Sequence, residues 1–202
     1  LIRSLTKRYP SARVIVTGCY AQRDAQTLAG MPEVALVVGN AEKTQLFQLF
    51  EDSLGRTDAE GNVFTSHPFK GRPTERFSFG AGGDAATASP FTRATIKVQD
   101  GCDDFCTFCI IPHLRGPSVS RPTAAILEHA RALAAAGYKE IDLTGVHTGA
   151  YGMDLATPTT LLAMLEQLVR VDGIERIRLN SIEPATVSEN LLDFIAASPK
   201  IC

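Results

Sequence analysis

Three cysteines crowd into eight residues of this 202-residue chain: Gly101-Cys102-Asp-Asp-Phe-Cys106-Thr-Phe-Cys109-Ile, spaced C-x3-C-x2-C. Thiolates this close suit one soft metal centre. A structural zinc site takes four ligands, normally as two paired knuckles, and no second pair follows here. Ferredoxin-type loops of spacing C-x2-C-x2-C bring in a fourth cysteine to complete a four-iron cluster. Three protein ligands leave one iron open, which is how a catalytic metal centre differs from a structural one. The plainer alternative is three cysteines near one another by chance, or binding zinc.

The elements around this loop decide where it sits. Residues 94–99 read as a strand running straight into it. Pro122 opens a helix to about residue 136, stopped by Gly137. Residues 140–144 form a second strand. Thr157-Pro158 then caps a helix carrying Leu161, Leu162, Leu165, Leu168 and Val169, which ends at Asp172-Gly173. Residues 174–179 are a third strand, and Ser188 caps a last helix through Leu191, Leu192 and Ile195. Three successive βα units predict a parallel sheet or the first part of a βα barrel. Chemistry in such folds gathers at the C-terminal strand ends, here residues 100–109, 144–149 and 180–183.

The first part of the chain is organised separately. Leu1, Ile2 and Leu5 suggest an opening helix. Residues 13–18 read as a buried strand that stops at Gly18, with Cys19 directly after it. A helix over 21–29, a strand over 34–38 and a helix over 41–54 follow, the last with Gly39-Asn40 as its N-cap. Residues 55–92 lose periodicity and read as a linker, with a short hairpin near 63–64. The expected fold class is α/β: the C-terminal part of a small parallel α/β domain (1–54), the linker, then the first half of a βα barrel (93–202). The chain starts at Leu1 rather than Met and ends just after the breaker Pro199, so it reads as a fragment. Half a barrel leaves sheet edges open, which predicts poor stability and aggregation.

Composition excludes several classes. Hydrophobic residues make up 45% and charged residues 21%, too apolar for a disordered chain. Net charge is -2, split as +1 over residues 1–92 and -3 over 93–202, so neither half has the basic excess of a nucleic-acid binder. No apolar run reaches the ~18–20 residues of a membrane span, and the start does not read as a signal peptide. The chain therefore reads as soluble, intracellular and cytoplasmic. Its five cysteines (Cys19, Cys102, Cys106, Cys109, Cys202) are then expected as reduced thiols or metal ligands rather than disulfides.

C-x3-C-x2-C with Phe108 before the third cysteine, on the loop after the first strand of a βα barrel, resembles the radical S-adenosylmethionine (SAM) enzymes. The longer run from Gln99 to Pro122 resembles their methylthiotransferase branch, and so does Val14-Ile-Val-Thr-Gly-Cys-Tyr-Ala-Gln22. Leu143-Thr-Gly-Val-His-Thr-Gly-Ala-Tyr-Gly152 and Arg178-Leu-Asn-Ser-Ile-Glu-Pro184 are most similar to the group acting on threonylcarbamoyladenosine in tRNA. The isopentenyladenosine group usually shows Gly-Gln-Asn-Val where this chain has Gly145-Val-His-Thr. The similarity covers nearly the whole chain, with the linker as its gap.

The resemblance implies that Cys102, Cys106 and Cys109 hold a 4Fe-4S cluster whose open iron chelates SAM. One electron then cleaves the sulfonium to methionine and a 5′-deoxyadenosyl radical, which activates C2 of the hypermodified adenosine at position 37, just 3′ of the anticodon. A methylthio group is installed there. It further implies a second 4Fe-4S cluster, of which Cys19 matches the third ligand. The other two ligands would lie upstream of Leu1, so the chain as given is expected not to transfer sulfur. A small buried residue at a strand end is the other reading of Cys19. For SAM, Phe108 is implied at the adenine and the Thr144–Gly145 backbone at the methionine amino group, while Ser181 and Glu183 could reach the ribose or amino group. Each also has a plain structural reading, as packing aromatic, turn or cap. The implied partners are a tRNA anticodon loop and an electron donor such as flavodoxin or ferredoxin, with no membrane.

Other polar residues carry less. Arg115 reads as a solvated loop arginine with a carboxylate or phosphate as its alternative partner. His147 lies on the same strand-end edge, and His113 and His129 read as surface. Asp103, Asp104 and Cys202 receive no role. Two other function classes compete: an iron–sulfur electron carrier, which needs a fourth cysteine ligand, and a zinc-stabilised interaction module. Within the enzyme class, isopentenyladenosine tRNA or a ribosomal protein is the alternative substrate.

Overall fold

The computed structural model describes residues 1–54, 62–66 and 93–202, and the linker expected over 55–92 otherwise lies outside them. The chain forms two compact units. Described residues of the first are 1–54, 62–66 and 106–116; those of the second are 93–105 and 117–202.

The first unit runs α1 (Ile2–Arg8), β1 (Val14–Thr17), α2 (Cys19–Arg23), α3 (Ala25–Ala29), β2 (Val34–Val38), α4 (Leu46–Ser53) and β3 (Val63–Phe64), with α5 (Ile111–Arg115) from the cysteine segment. Its sheet is parallel in the order β1-β2-β3. Ala21, Leu28 and Val37 form its core. Four expectations change here. The helix over 21–29 is two short helices, because Asp24 leaves helical geometry at φ -138° and ψ 50°. The helix over 41–54 is a 3-10 turn, Lys43–Gln45, followed by α4. Asn40 does not cap it, because the 3-10 turn begins behind Glu42 and α4 behind Gln45, neither end carrying a side-chain cap bond. The hairpin near 63–64 is a parallel strand, with Val37 opposite Val63 and Val38 opposite Phe64, a pairing no tight turn can make. In α5, Pro112 sits in the first turn, where its missing N–H costs no hydrogen bond.

The second unit runs β4 (Ala94–Lys97), β5 (Gln99–Asp100), β6 (Val119–Ser120), α6 (Thr123–Ala135), β7 (Glu140–Thr144), α7 (Leu161–Leu168), β8 (Arg176–Leu179) and α8 (Glu189–Ala197). The parallel sheet β4-β7-β8 holds the register Ile96–Leu143–Leu179, as the repeated βα order predicts. Ala94, Ile96, Ile141, Leu143 and Ile177 bury one face against Ile126, Ala130, Leu133, Met164, Leu165, Leu168 and Leu191 of the helices. Complete burial of one such aliphatic side chain contributes about 1.5–3 kcal/mol. Alternate residues are polar: Glu140 accepts from Arg178 and pairs with Arg93 and Arg176. That alternation gives the sheet one face packed against the helices and one polar face. Beyond α8, the Ile177 N–H donates to Lys200 O and the Cys202 N–H to Ile177 O, so residues 200–202 pair in parallel with β8.

Ser188 caps α8 as expected, its Oγ accepting from the Leu191 N–H at 3.2 Å. The α7 cap is Thr160, not Thr157, with Oγ1 accepting from the Ala163 N–H at 3.1 Å. Pro122 flanks α6 instead of beginning it. The strand over 94–99 is cut after Lys97, and Gln99–Asp100 pairs antiparallel with Val119–Ser120.

Candidate metal and cofactor site

None of the five cysteines is in a disulfide. In the loop, Cys102 and Cys109 are half-buried and Cys106 is exposed. Cys102 belongs to the second unit, Cys106 and Cys109 to the first. Phe105, just ahead of Cys106, sits at φ +48°, a conformation that costs a non-glycine residue about 1–2 kcal/mol. The Cys102 thiol donates to Asp104 Oδ2 at 3.4 Å, and the same carboxylate oxygen lies 3.5 Å from His147 Nε2. Asp103 Oδ2 accepts from the Ser118 N–H at 3.1 Å. Both aspartates thus gain roles the sequence did not suggest: they anchor the start of the loop. No three His, Cys, Asp or Glu side chains among the described residues are arranged to hold a metal ion. In kind the donors suit a thiophilic iron–sulfur cluster: three cysteine sulfurs on one loop, one fewer than the four that close such a cluster.

Phe108 is 91% exposed, so the packing reading fails for it: this ring supports no core. Thr144 ends β7 opposite Lys97, and its carbonyl accepts from the Val98 N–H at 2.9 Å. Gly145 follows, and a Cβ there would stand 2.9 Å from Thr148 Cγ2, 3.0 Å from Gln99 Oε1 and 3.1 Å from the Gln99 carbonyl. Any larger residue at this strand end must displace Thr148 and Gln99, so glycine is favoured here on steric grounds and not only as a turn residue. Ser181 is exposed at φ +60°, and its carbonyl accepts from the Thr148 N–H at 2.9 Å. Glu183 is exposed too, and its backbone carbonyl accepts from Thr186 Oγ1 at 2.8 Å. Gly145, Ser181 and the start of the cysteine loop all lie beyond the C-terminal ends of neighbouring parallel strands, as the βα reading requires.

Cys19 opens α2 in the first unit. Asn40 Nδ2 reaches its sulfur at 3.7 Å and also donates to Leu114 O at 3.0 Å. Burial pushes the Cys19 thiol up, but hydrogen bonds from Arg115 and Asn40, together with the charges of Arg115 and Lys43, outweigh it and hold the thiol below its ordinary value. Arg115 is thus no solvated loop arginine: it is half-buried and bonded to a sulfur. The plain reading of Cys19 as packing filler misses this polar surrounding.

The three histidines among the described residues each stand differently. His113 is exposed, as expected. His129 is not a surface residue: it is half-buried, with Nδ1 3.1 Å from Arg121 Nη1. His147 is 4% exposed, and its Nδ1 has no hydrogen-bond partner among the described residues. Cys202 is exposed, with its thiol 3.8 Å from Ile177 O. One residue with a large part in this edge was overlooked: Gln99, 0% exposed, bonded to Gly101, Ser118, Val146 and His147. A fully polar amide inside a run of strand residues was the available signal.

The family model described as Radical SAM superfamily matches residues 96–200. Among curated proteins, the chain is 35% identical over its whole length to "Threonylcarbamoyladenosine tRNA methylthiotransferase MtaB" of Bacillus subtilis, covering 43% of that protein. The protein of the same name from Aquifex aeolicus is 37% identical over 96% of this chain and 45% of its own length. "Ribosomal protein uS12 methylthiotransferase RimO" of Desulfotalea psychrophila is 33% identical over 96% of the chain and 42% of its own. The chain thus spans less than half the length of these relatives. No helix among the described residues is long and apolar enough to cross a membrane.

Proposed function

Because the chain belongs to the radical SAM superfamily, we propose that it carries the cluster-binding and SAM-binding part of a methylthiotransferase that modifies tRNA. The observation that carries this reading is the placement of C-x3-C-x2-C: three cysteines outside any disulfide, on the loop beyond the first strand of a parallel βα sheet. Cys102, Cys106 and Cys109 would hold a 4Fe-4S cluster, and a cluster with one open iron supplies one-electron chemistry on the SAM sulfonium. The protein's own part is binding and aim. Phe108 offers an unpacked aromatic face to the adenine, and the Thr144–Gly145 backbone meets the methionine end. Ser181 and Glu183 stand at the adjoining strand end for the ribose or amino group. Cys19, with its thiol favoured as thiolate by Arg115 and Asn40, is the ligand offered to a second cluster. An external one-electron donor such as flavodoxin or ferredoxin completes the system.

The substrate we propose is N6-threonylcarbamoyladenosine at position 37, following the names of the first two relatives. The ribosomal-protein relative supports a second reading, methylthiolation of a protein side chain. Two experiments test these claims. The chain is reconstituted anaerobically with iron and sulfide, reduced, and examined by EPR with and without SAM. A four-iron signal that changes on SAM addition supports the reading; a signal indifferent to SAM, or zinc in place of iron, overturns it. Mass spectrometry of tRNA nucleosides from a strain lacking the gene then decides the substrate. Loss of the methylthio form of threonylcarbamoyladenosine supports tRNA, whereas an unchanged nucleoside profile with an unmodified ribosomal protein favours the second reading.

A further inference from the structure

Three loops leave the cofactor edge of the second unit, and two buried polar side chains lace them together. Gln99 is 0% exposed and uses both ends of its amide. Nε2 donates to Gly101 O at 2.7 Å and Ser118 Oγ at 2.9 Å, with Asp100 O also at 3.0 Å. Oε1 accepts from the N–H groups of Val146 at 3.0 Å and His147 at 2.9 Å. The amide thus fills its capacity of two donors and two lone pairs. Thr148, 2% exposed, continues the lace. Its Oγ1 lies 2.6 Å from Asn180 O and 3.2 Å from Ser181 O, and its N–H donates to Ser181 O at 2.9 Å. Gln99 therefore ties the start of the cysteine loop to the loop after β7, and Thr148 ties that loop to the end of β8.

We propose that Gln99 and Thr148 are positioning residues for the SAM site: they set the offset between Gly101, Gly145 and Ser181 before the cofactor arrives. The inference rests on the radical SAM reading above. Both side chains are sealed from solvent, so they act through the backbone they hold and not by touching the cofactor. Only a side chain that donates and accepts at once can do what Gln99 does. Methionine fills a similar volume but would leave the Val146 and His147 N–H groups buried without partners, an arrangement strongly disfavoured in a protein interior. Thr148→Val likewise keeps the shape and loses the hydroxyl. Because the Ser181 backbone sits at φ +60°, it needs the bonds from Thr148 to keep that conformation.

The test uses the full-length protein with its clusters reconstituted, in wild-type, Gln99→Met, Thr148→Val and Thr148→Ser forms. Iron content, the SAM dissociation constant and amide hydrogen exchange over residues 145–148 are measured on each. The expected result is wild-type iron content in all four, with SAM binding weakened about 10- to 100-fold in Gln99→Met and Thr148→Val, the scale of outer-shell substitutions at metal sites. The Val146 and His147 amides should exchange faster in Gln99→Met, and Thr148→Ser, which keeps the hydroxyl, should bind SAM like wild type. If Gln99→Met does not fold, the contrast between Thr148→Val and Thr148→Ser decides. Wild-type SAM affinity in Gln99→Met and Thr148→Val, or equal loss in Val and Ser, overturns the inference while leaving the radical SAM reading intact. Failure of the iron-loaded wild type to bind SAM overturns that reading, and the inference with it.

Discussion

Replacing Gly145 by alanine tests the strand-end geometry with one methyl group. The new Cβ would meet Thr148 Cγ2 at 2.9 Å, Gln99 Oε1 at 3.0 Å and the Gln99 carbonyl at 3.1 Å. Thr148 Cγ2 must shift, and the Gln99 amide and carbonyl must each give by a few tenths of an ångström. Moving the amide weakens the bonds it accepts from the buried Val146 and His147 N–H groups. At about 1–3 kcal/mol for each unsatisfied buried group, partial relaxation puts the total cost at roughly 2–4 kcal/mol. With a urea m-value of about 2 kcal/mol per M, the unfolding midpoint should fall by about 1–2 M. Gly137→Ala is the control: φ is +93° there and nothing lies within 4 Å of a Cβ, so only backbone strain of about 1–2 kcal/mol is expected. Urea titration followed by circular dichroism gives both midpoints, and hydrogen exchange gives the local effect. Gly145→Ala should lose protection at Val146 and His147, whereas Gly137→Ala should keep it. A Gly145→Ala midpoint within about 0.2 M of wild type, with those amides still protected, would mean that the Gln99 clamp does not hold this loop.

Two further predictions concern titratable groups. In the metal-free chain, iodoacetamide should alkylate Cys19 more slowly in Arg115→Met than in wild type at pH 7, because Arg115 is the strongest of the influences favouring its thiolate; equal rates by peptide mass spectrometry would refute the contact. Burial first and the Arg121 charge second hold the His129 pKa below its ordinary value, so the unfolded chain binds this proton more readily than the folded one. Its contribution to stability is complete above about pH 6.5 and is lost as pH falls below that value toward the lowered folded pKa. His129→Gln should flatten that stretch of the stability–pH curve, and an unchanged slope in urea melts between pH 7 and 5 would count against the assignment.

Local pattern determined much of this protein. The βα alternation, the positions of β7, α6 and α8, the Ser188 cap and the three-cysteine loop at a strand end all follow from periodicity and spacing within a few residues. Those features depend on neighbours in the chain, which a sequence displays directly. What the sequence could not display was partnership over distance. Asn40 looks like a helix cap, yet its amide serves a sulfur 21 residues earlier and a carbonyl 74 residues later. Val63–Phe64 looks like half a hairpin, yet parallel pairing with β2 settles its direction. Arg115 looks solvated until the fold places it against Cys19. Gln99 shows the limit best: its four loop partners lie up to 48 residues away, and a buried amide survives only because the folded chain supplies both donors and acceptors around it.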